Sequence, residues 1–535
     1  MTRSRAGWLA GYVVSSFLAF PHPLGDRVID LGFVLAWVAP ACLVAGLRGL
    51  APASAAGFGF LASLLAHAAI LHWIYVVTVV YGEAPPLVGI LAPVGLAAYI
   101  ALFGAAFGAG TSVFEERARA GPFVLAALWT ALDYLRHHLL SGFPWAVLGY
   151  AQHQNFALMT LAPFTGVYGL SFVTVLGSLG VAGLLRGLRE QRHLPLPSLA
   201  ACAVTLATLA VGSWINAQPT APSGEKIRVA VLQGNIDQGV KWSHAWQEVT
   251  LQIYEELTRK AHAEGAEVVV WPETAVPGSL ETDPDFRARI EELAREQAVV
   301  LVVGAVGVEP LGRAYRYYDS AYVFDTSGRQ IERYDKAHLV PFGEYVPLRG
   351  LLGLLIGAVA RGMAPDNVTA GPGPRVVKLP QPNHPGDSST LDAPAPVPVG
   401  IPICYELLFP DLVRRFVASG GSVLLAITND AWYGRTGAPY QFLAITALRS
   451  AETRVWTARA ANTGVSAFID DRGRVRNRTR IFERGLLVDD IPLRPGAAAD
   501  SFYVRHGDVF AWACCGAAGA ALALRRRSEG KQRHE

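Results

Sequence analysis

Four stretches without a single Asp, Glu, Lys or Arg constrain this chain more than any other feature: residues 49–82, 84–114, 137–185 and 193–224. Each exceeds the roughly 20 apolar residues that cross a bilayer as a helix, the conformation that satisfies every backbone N–H and C=O from within. Candidate spans lie near residues 7–23, 28–47, 54–81, 86–113, 121–140, 158–185 and 196–215, with one more near 507–524, so about eight are expected. If the N-terminus is cytoplasmic, Arg48, Arg117 with Arg119, the Arg186/Arg189/Arg192 group and Arg525-Arg526-Arg527 all fall on the cytoplasmic side, where Lys and Arg accumulate. The long region before the final span then faces the opposite side, an assignment that depends on counting the first two short segments separately. Arg3 and Arg5 ahead of an apolar run suit a signal peptide, but more spans follow and Phe20-Pro21-His22-Pro23 is no small-residue cleavage site. The segment reads as a retained first span.

Past residue 215 the texture changes to that of an α/β domain. Strand-like runs at 226–232, 268–271, 299–303, 321–324, 376–379, 397–403, 423–428 and 465–469 alternate with helical spacing at 245–264 and 286–297. A chain of 535 residues exceeds one hydrophobic core. The expected organisation is a multi-pass α-helical bundle over 1–215, an α/β domain over 216–506, and a helix with a basic tail over 507–535. Residues 380–398, rich in Pro, Ser and Asp, read as a surface loop.

A net charge of +3, with basic residues gathered at segment ends, gives no nucleic-acid footprint. Cys42, Cys202, Cys514 and Cys515 lie in apolar stretches, where thiols behave as small hydrophobes, and no disulfide framework emerges. Zinc spacings, a Walker loop and Gly-x-Ser-x-Gly are absent, and His137-His138 and His153 read as interfacial polar residues, so neither metal nor cofactor is expected.

Cys404 is the one cysteine in a polar part of the chain, at the end of Val399-Gly400-Ile401-Pro402-Ile403-Cys404-Tyr405-Glu406, a strand leading into an elbow. Val268-Val269-Val270-Trp271-Pro272-Glu273 is a buried strand stopped by proline that presents a carboxylate at its end. The segment from Tyr334 to Pro347 interleaves Lys336 and Glu344 with aromatics and fixed-φ prolines, as in a shaped loop. Taken singly, each has a plain structural reading: Glu273 a capping carboxylate, Lys336 and Glu344 a solvated ion pair, Cys404 an inert buried thiol.

Taken together, in this order and behind membrane spans, they resemble the apolipoprotein N-acyltransferase family, in which a nitrilase-superfamily domain is fused to a membrane bundle. The resemblance covers essentially the whole chain and rests on Gly234-Asn235-Ile236 with Lys241-Trp242, Trp271-Pro272-Glu273, Lys336 through Pro347, Ile403-Cys404-Tyr405-Glu406 and Thr428-Asn429-Asp430-Ala431-Trp432-Tyr433. It implies an αββα sandwich, with Glu273 as general base, Lys336 as electrostatic stabiliser and Cys404 as nucleophile, supported by Trp242, Glu344, Tyr405 and Glu406. It also implies a monomer of the bacterial inner membrane, its catalytic domain on the periplasmic side. That enzyme would move an acyl chain from a phospholipid, typically phosphatidylethanolamine, through a Cys thioester to the N-terminal amine of a diacylated apolipoprotein. The loop before Cys404 is longer than in familiar members, which leaves its role open.

The apolar stretch 349–364 suggests a mobile lid that touches lipid, or an ordinary core helix. Two other functions fit parts of the pattern. A membrane-tethered amidase would share the triad but use water as acceptor, and a transporter or scaffold would tolerate loss of Cys404. The few intramembrane charges, Asp133 with Arg136 near a span end, form no obvious transport pathway.

Overall fold

The computed structural model describes residues 3–25, 27–115, 121–190, 195–219, 224–241, 243–345, 368–381 and 395–534. The chain divides into two compact units: Met1–Tyr75, Gly89–Pro219 and His506–Glu535 form one, Val76–Val88 and Thr220–Arg505 the other. The second unit thus takes a short segment from the apolar half of the sequence. In it, Tyr81 meets the ring of Trp432 edge-on at 6.2 Å.

The first unit is helical, with α1 (Arg3–Leu18), a hairpin of β1 (His22–Leu24) and β2 (Arg27–Ile29), α2 (Ala39–Leu47), α3 (Pro52–Ile70), α4 (Pro86–Glu115), α5 (Gly121–His138), α6 (Val167–Arg189) and α7 (Leu196–Ala217). Among the described residues, four helices are long and apolar enough to cross a membrane: Pro52–Ile70, Pro86–Phe114, Val167–Arg189 and Leu196–Ala217. The expected count of about eight is supported only that far. The predicted span at 28–47 is broken into β2, a single helical turn at Gly32–Leu35 and the nine-residue α2, because Pro40 opens a new helix. Helix α1 has only 16 residues, and α5 ends in Arg136, His137 and His138. Helices α3 and α4 touch backbone to backbone, since a Cβ on Gly59 would lie 2.5 Å from the Gly104 carbonyl and one on Gly108 would lie 2.4 Å from that of Ala55. Such small-residue seams are how helices associate where lipid removes the hydrophobic drive.

The second unit holds two six-stranded sheets. In the first, β3 (Lys226–Gln233), β4 (Val268–Val270) and β5 (Val300–Leu311) run parallel, while β6 (Ala314–Phe324) and β7 (Gln330–Asp335) continue one edge antiparallel. The other sheet repeats the scheme: β9 (Val397–Gly400), β10 (Val423–Thr428) and β11 (Thr457–Ala461) are parallel, flanked by antiparallel β8 (Val376–Leu379) on one side and β12 (Ala467–Ile469) and β13 (Val475–Arg478) on the other. Strand β14 (Gly485–Pro492) closes the free edge of β3.

Helices α8 (His244–Ala263) and α9 (Pro284–Gln297) cover the first sheet because their apolar residues recur on one face. Leu251, Tyr254, Leu257, Ile290 and Leu293 form one core with Val269, Leu301, Val303 and Tyr322. Asp283 starts α9 by accepting from Phe286 N–H at 3.2 Å, with Pro284 at the first turn. The second sheet is covered by α10 (Pro410–Ala418) and α11 (Ala438–Thr453), whose Leu443 and Ala447 pack on Val465, Ala467 and Ile469. The sheets meet through polar ties, Ser466 Oγ donating to Gln233 Oε1 at 2.8 Å and Asn235 N–H donating to the Asn462 carbonyl at 2.9 Å. The layering is that of the nitrilase-like domain expected from the motifs.

Candidate active site

Glu273, Lys336 and Cys404 each stand past the carboxyl end of a strand, where loops are free to carry chemistry on a rigid base. Strand β4 is fully buried valine, and Pro272, lacking an N–H, cannot extend the ladder, so the chain leaves the sheet at Glu273. Gly304 on β5 permits this exit: a Cβ there would lie 2.2 Å from the Pro272 carbonyl and 2.8 Å from Glu273 Cα. Cys404 follows β9 and opens a helical turn, Cys404–Leu408, with φ of 46°. A left-handed conformation at a non-glycine residue costs on the order of 1–3 kcal/mol and persists only where the surroundings impose it.

Glu406 imposes it. Fully buried, it accepts from the N–H of Ile403 at 2.7 Å, the N–H of Ala337 at 2.7 Å and the hydroxyl of Tyr334 at 2.8 Å, which ties the elbow to the loop after β7. Burial pushes its carboxyl up to about 7, against the pull of those donors. Glu406→Ala is expected to destabilise the protein by about 3 kcal/mol or more, since three buried donors lose their acceptor at about 1–3 kcal/mol each. Thermal unfolding would read the effect, and an unchanged midpoint would show that the elbow does not depend on this carboxylate.

Lys336, 1% exposed, lies at the centre of the site. Its Nζ donates to Glu273 Oε1 at 3.0 Å, Asp319 Oδ2 at 3.1 Å and Glu344 Oε1 at 2.5 Å. Burial alone would lower its pKa, but the carboxylates of Glu273, Glu344 and Asp319 raise it well above the ordinary lysine value. The three carboxyl groups could hold a cation between them, yet the ammonium already occupies that place.

Glu273 Oε2 accepts the Asn429 N–H at 2.6 Å, and the Cys404 thiol lies close enough to feel the charge of this carboxylate. Burial opposes its charge, but Lys336 prevails and holds it well below the usual carboxylate range. The Cys404 thiol moves the other way, pushed well above its ordinary value by burial and then by the Glu273 charge. A neutral thiol therefore lies near an ionised carboxylate, the protonation states a general base needs before attack.

The expected site residues are thus gathered as follows. Glu273, Lys336 and Cys404 converge, with Glu344 on the ammonium and Glu406 behind the elbow. Tyr405 meets Phe409 edge-on at 5.3 Å and lies tilted against the His338 ring at 5.7 Å. Trp242, the apolar stretch 349–364 and residues 382–394 of the Pro-rich loop lie outside the described residues.

Two groups escaped the sequence reading as participants. Lys241, quoted only as part of a motif, is 1% exposed and donates to Thr274 Oγ1 at 2.6 Å; burial lowers its pKa to about 8. Asp319 sits in the apolar second half of β6, where a lone acid in Tyr318-Asp319-Ser320-Ala321 was the available signal.

Comparison with known proteins agrees in both halves of the chain. Residues 228–499 match the carbon-nitrogen hydrolase family model, and residues 14–180 match that of the apolipoprotein N-acyltransferase N-terminal domain. An apolipoprotein N-acyltransferase of Geobacter metallireducens is 40% identical over 92% of this chain and 92% of its own length. Those of Nitrosomonas europaea and Azotobacter vinelandii are 34% and 33% identical, over 88% and 98% of this chain and 88% and 97% of theirs.

Proposed function

The chain belongs to the apolipoprotein N-acyltransferase family, and from that premise we propose that it transfers a fatty acyl chain from a membrane phospholipid to the N-terminal amine of diacylated apolipoproteins. The observation that carries this reading is the convergence of the Cys404 thiol on an ionised Glu273 that shares the ammonium of Lys336.

A neutral amine attacks a phospholipid ester poorly, so passage through a thioester replaces one hard step with two easier ones. Glu273 takes the Cys404 proton as Sγ attacks the ester carbonyl. Lys336, with the backbone N–H of Tyr405 at the start of the turn, stabilises the oxyanion. Collapse breaks the C–O bond, Glu273 passes the proton to the departing lysophospholipid oxygen, and the acyl group stays on sulfur. The lipoprotein amine then attacks the thioester, its proton goes to Glu273 and on to the leaving thiolate, and an amide is released beside a regenerated thiol. Both substrates are anchored in lipid, which gives the apolar helices their purpose as the device that keeps the enzyme at the bilayer.

In this reading residues 216–506 form the catalytic domain on the periplasmic side of the inner membrane, and the clusters at Arg48, Arg186/Arg189/Arg192 and Arg525-Arg526-Arg527 stay cytoplasmic. The decisive experiment incubates the purified protein with phosphatidylethanolamine and a diacylated lipopeptide. N-acylated peptide is expected, and with donor alone Cys404 should gain the mass of a long acyl chain. Release of free fatty acid or of ammonia without N-acylated product would refute acyl transfer to an amine in favour of hydrolysis.

A further inference from the structure

Two carboxyl groups crowded together in a buried site favour a proton on one of them, because two carboxylates repel and offer only acceptors. Glu273 and Asp319 are so crowded: Lys336 Nζ binds them at 3.0 and 3.1 Å, and one carboxyl oxygen of each, with one of Glu344, lie within 4.8 Å of one another. Their other partners differ. Glu273 receives a donor on each oxygen, Lys336 Nζ on Oε1 and Asn429 N–H on Oε2. Asp319 receives Lys336 only on Oδ2, while its buried Oδ1 has no hydrogen-bond partner among the described residues as long as it is counted as an acceptor. A proton placed on Oδ1 removes that deficit and supplies the missing donor.

We infer that Asp319 carries the proton of this carboxyl–carboxylate pair and donates its O–H to Glu273, positioning the ionised partner against the Cys404 thiol. This rests on the proposed role of Glu273 as base and adds a residue that acts through it without touching substrate. Charge balance favours the assignment. The groups that face Asp319 are Glu273 from the loop after β4, Lys336 and Glu344 from the loop after β7, and Lys241 from the turn after β3. With all three acids ionised and both lysines charged, the buried cluster would hold a net negative charge; one proton on Asp319 brings it to neutrality. Burial, with the Glu273 charge beside it, raises Asp319 well above the usual carboxyl range, in the same sense. The consequence for catalysis is that Glu273 faces the thiol already ionised, while the second acid holds it in place without adding repulsion to the forming thiolate.

The test compares the full-length protein with Asp319→Asn and Asp319→Leu. At neutral pH, the infrared spectrum of the wild type minus that of Asp319→Asn should contain the C=O band of a protonated carboxylic acid. A carboxylate band in its place overturns the proposal. Because that measurement needs no substrate, it stands or falls independently of the acyl-transfer reading. In turnover, Asp319→Leu should lower kcat by about 10- to 100-fold, the size of a lost hydrogen bond to a charged group, and leave KM within about twofold. Asp319→Asn, whose amide N–H can still donate to Glu273, should recover most of that loss. An Asp319→Asn enzyme as slow as Asp319→Leu would mean that Asp319 contributes a negative charge, and the proposal would fail.

Discussion

Cys404→Ala should reduce N-acylation by on the order of 10⁴- to 10⁶-fold and remove the acyl-enzyme altogether, the scale seen when a nucleophile is deleted from a preorganised site. The expectation follows from the position of the sulfur. It stands on a left-handed elbow that Glu406 holds from behind, past the end of β9, near a carboxylate kept ionised by Lys336. Cys404→Ser keeps the shape but substitutes a hydroxyl that is far harder to deprotonate, so it should form little or no ester intermediate. Intact-mass analysis after exposure to phospholipid reads the intermediate, and a diacylated lipopeptide reads turnover. Turnover by Cys404→Ala within tenfold of wild type would exclude a thioester route.

The parts of this architecture that were readable in sequence are those where local pattern and tertiary role coincide. Strands β8 and β10 appeared with their observed limits, since short aliphatic runs stopped by Pro380 or started after Ser422 permit little else. Strand β11 did not. Its residues, Thr457-Ala458-Arg459-Ala460-Ala461, have helix-forming composition, yet it lies between β10 and β12 with every residue buried. Arg459 can sit there because the Val465 carbonyl and the Asp430 carboxylate accept from it, and Asp430, at 2.9 Å, is a partner 29 residues away that no local window contains. Asp319 was missed for the same reason: its importance lies in Lys336 and Glu273, which come from other loops. The triad, by contrast, could be named from motifs, because each member ends a recognisable punctuated segment. Four of the expected membrane spans appear as long apolar helices, while the one expected at 28–47 is interrupted before the helix that Pro40 opens.

Lys336→Met tests the electrostatics of the whole cluster, and its effect should depend on pH in a particular sense. In the wild type, Lys336 holds Glu273 below its unfolded value, so this carboxylate contributes stability above about pH 4 that is lost as pH falls. Removing the ammonium leaves Glu273, Asp319 and Glu344 packed together without the cation all three share, a change of the kind that costs about 3–5 kcal/mol. The carboxyl groups must then bind protons more tightly folded than unfolded, so the variant's stability should fall as pH rises through their raised values. The gap between wild type and variant is therefore expected to be small near pH 5 and to widen by roughly 2 kcal/mol or more toward pH 8. Denaturant unfolding at the two pH values would measure it, and a gap that is constant or widest in acid would contradict the shared-cation description. Lys336→Arg should restore part of the stability but little acyl transfer, because three carboxyl groups converge on one nitrogen and a planar guanidinium spreads its donors along a fork.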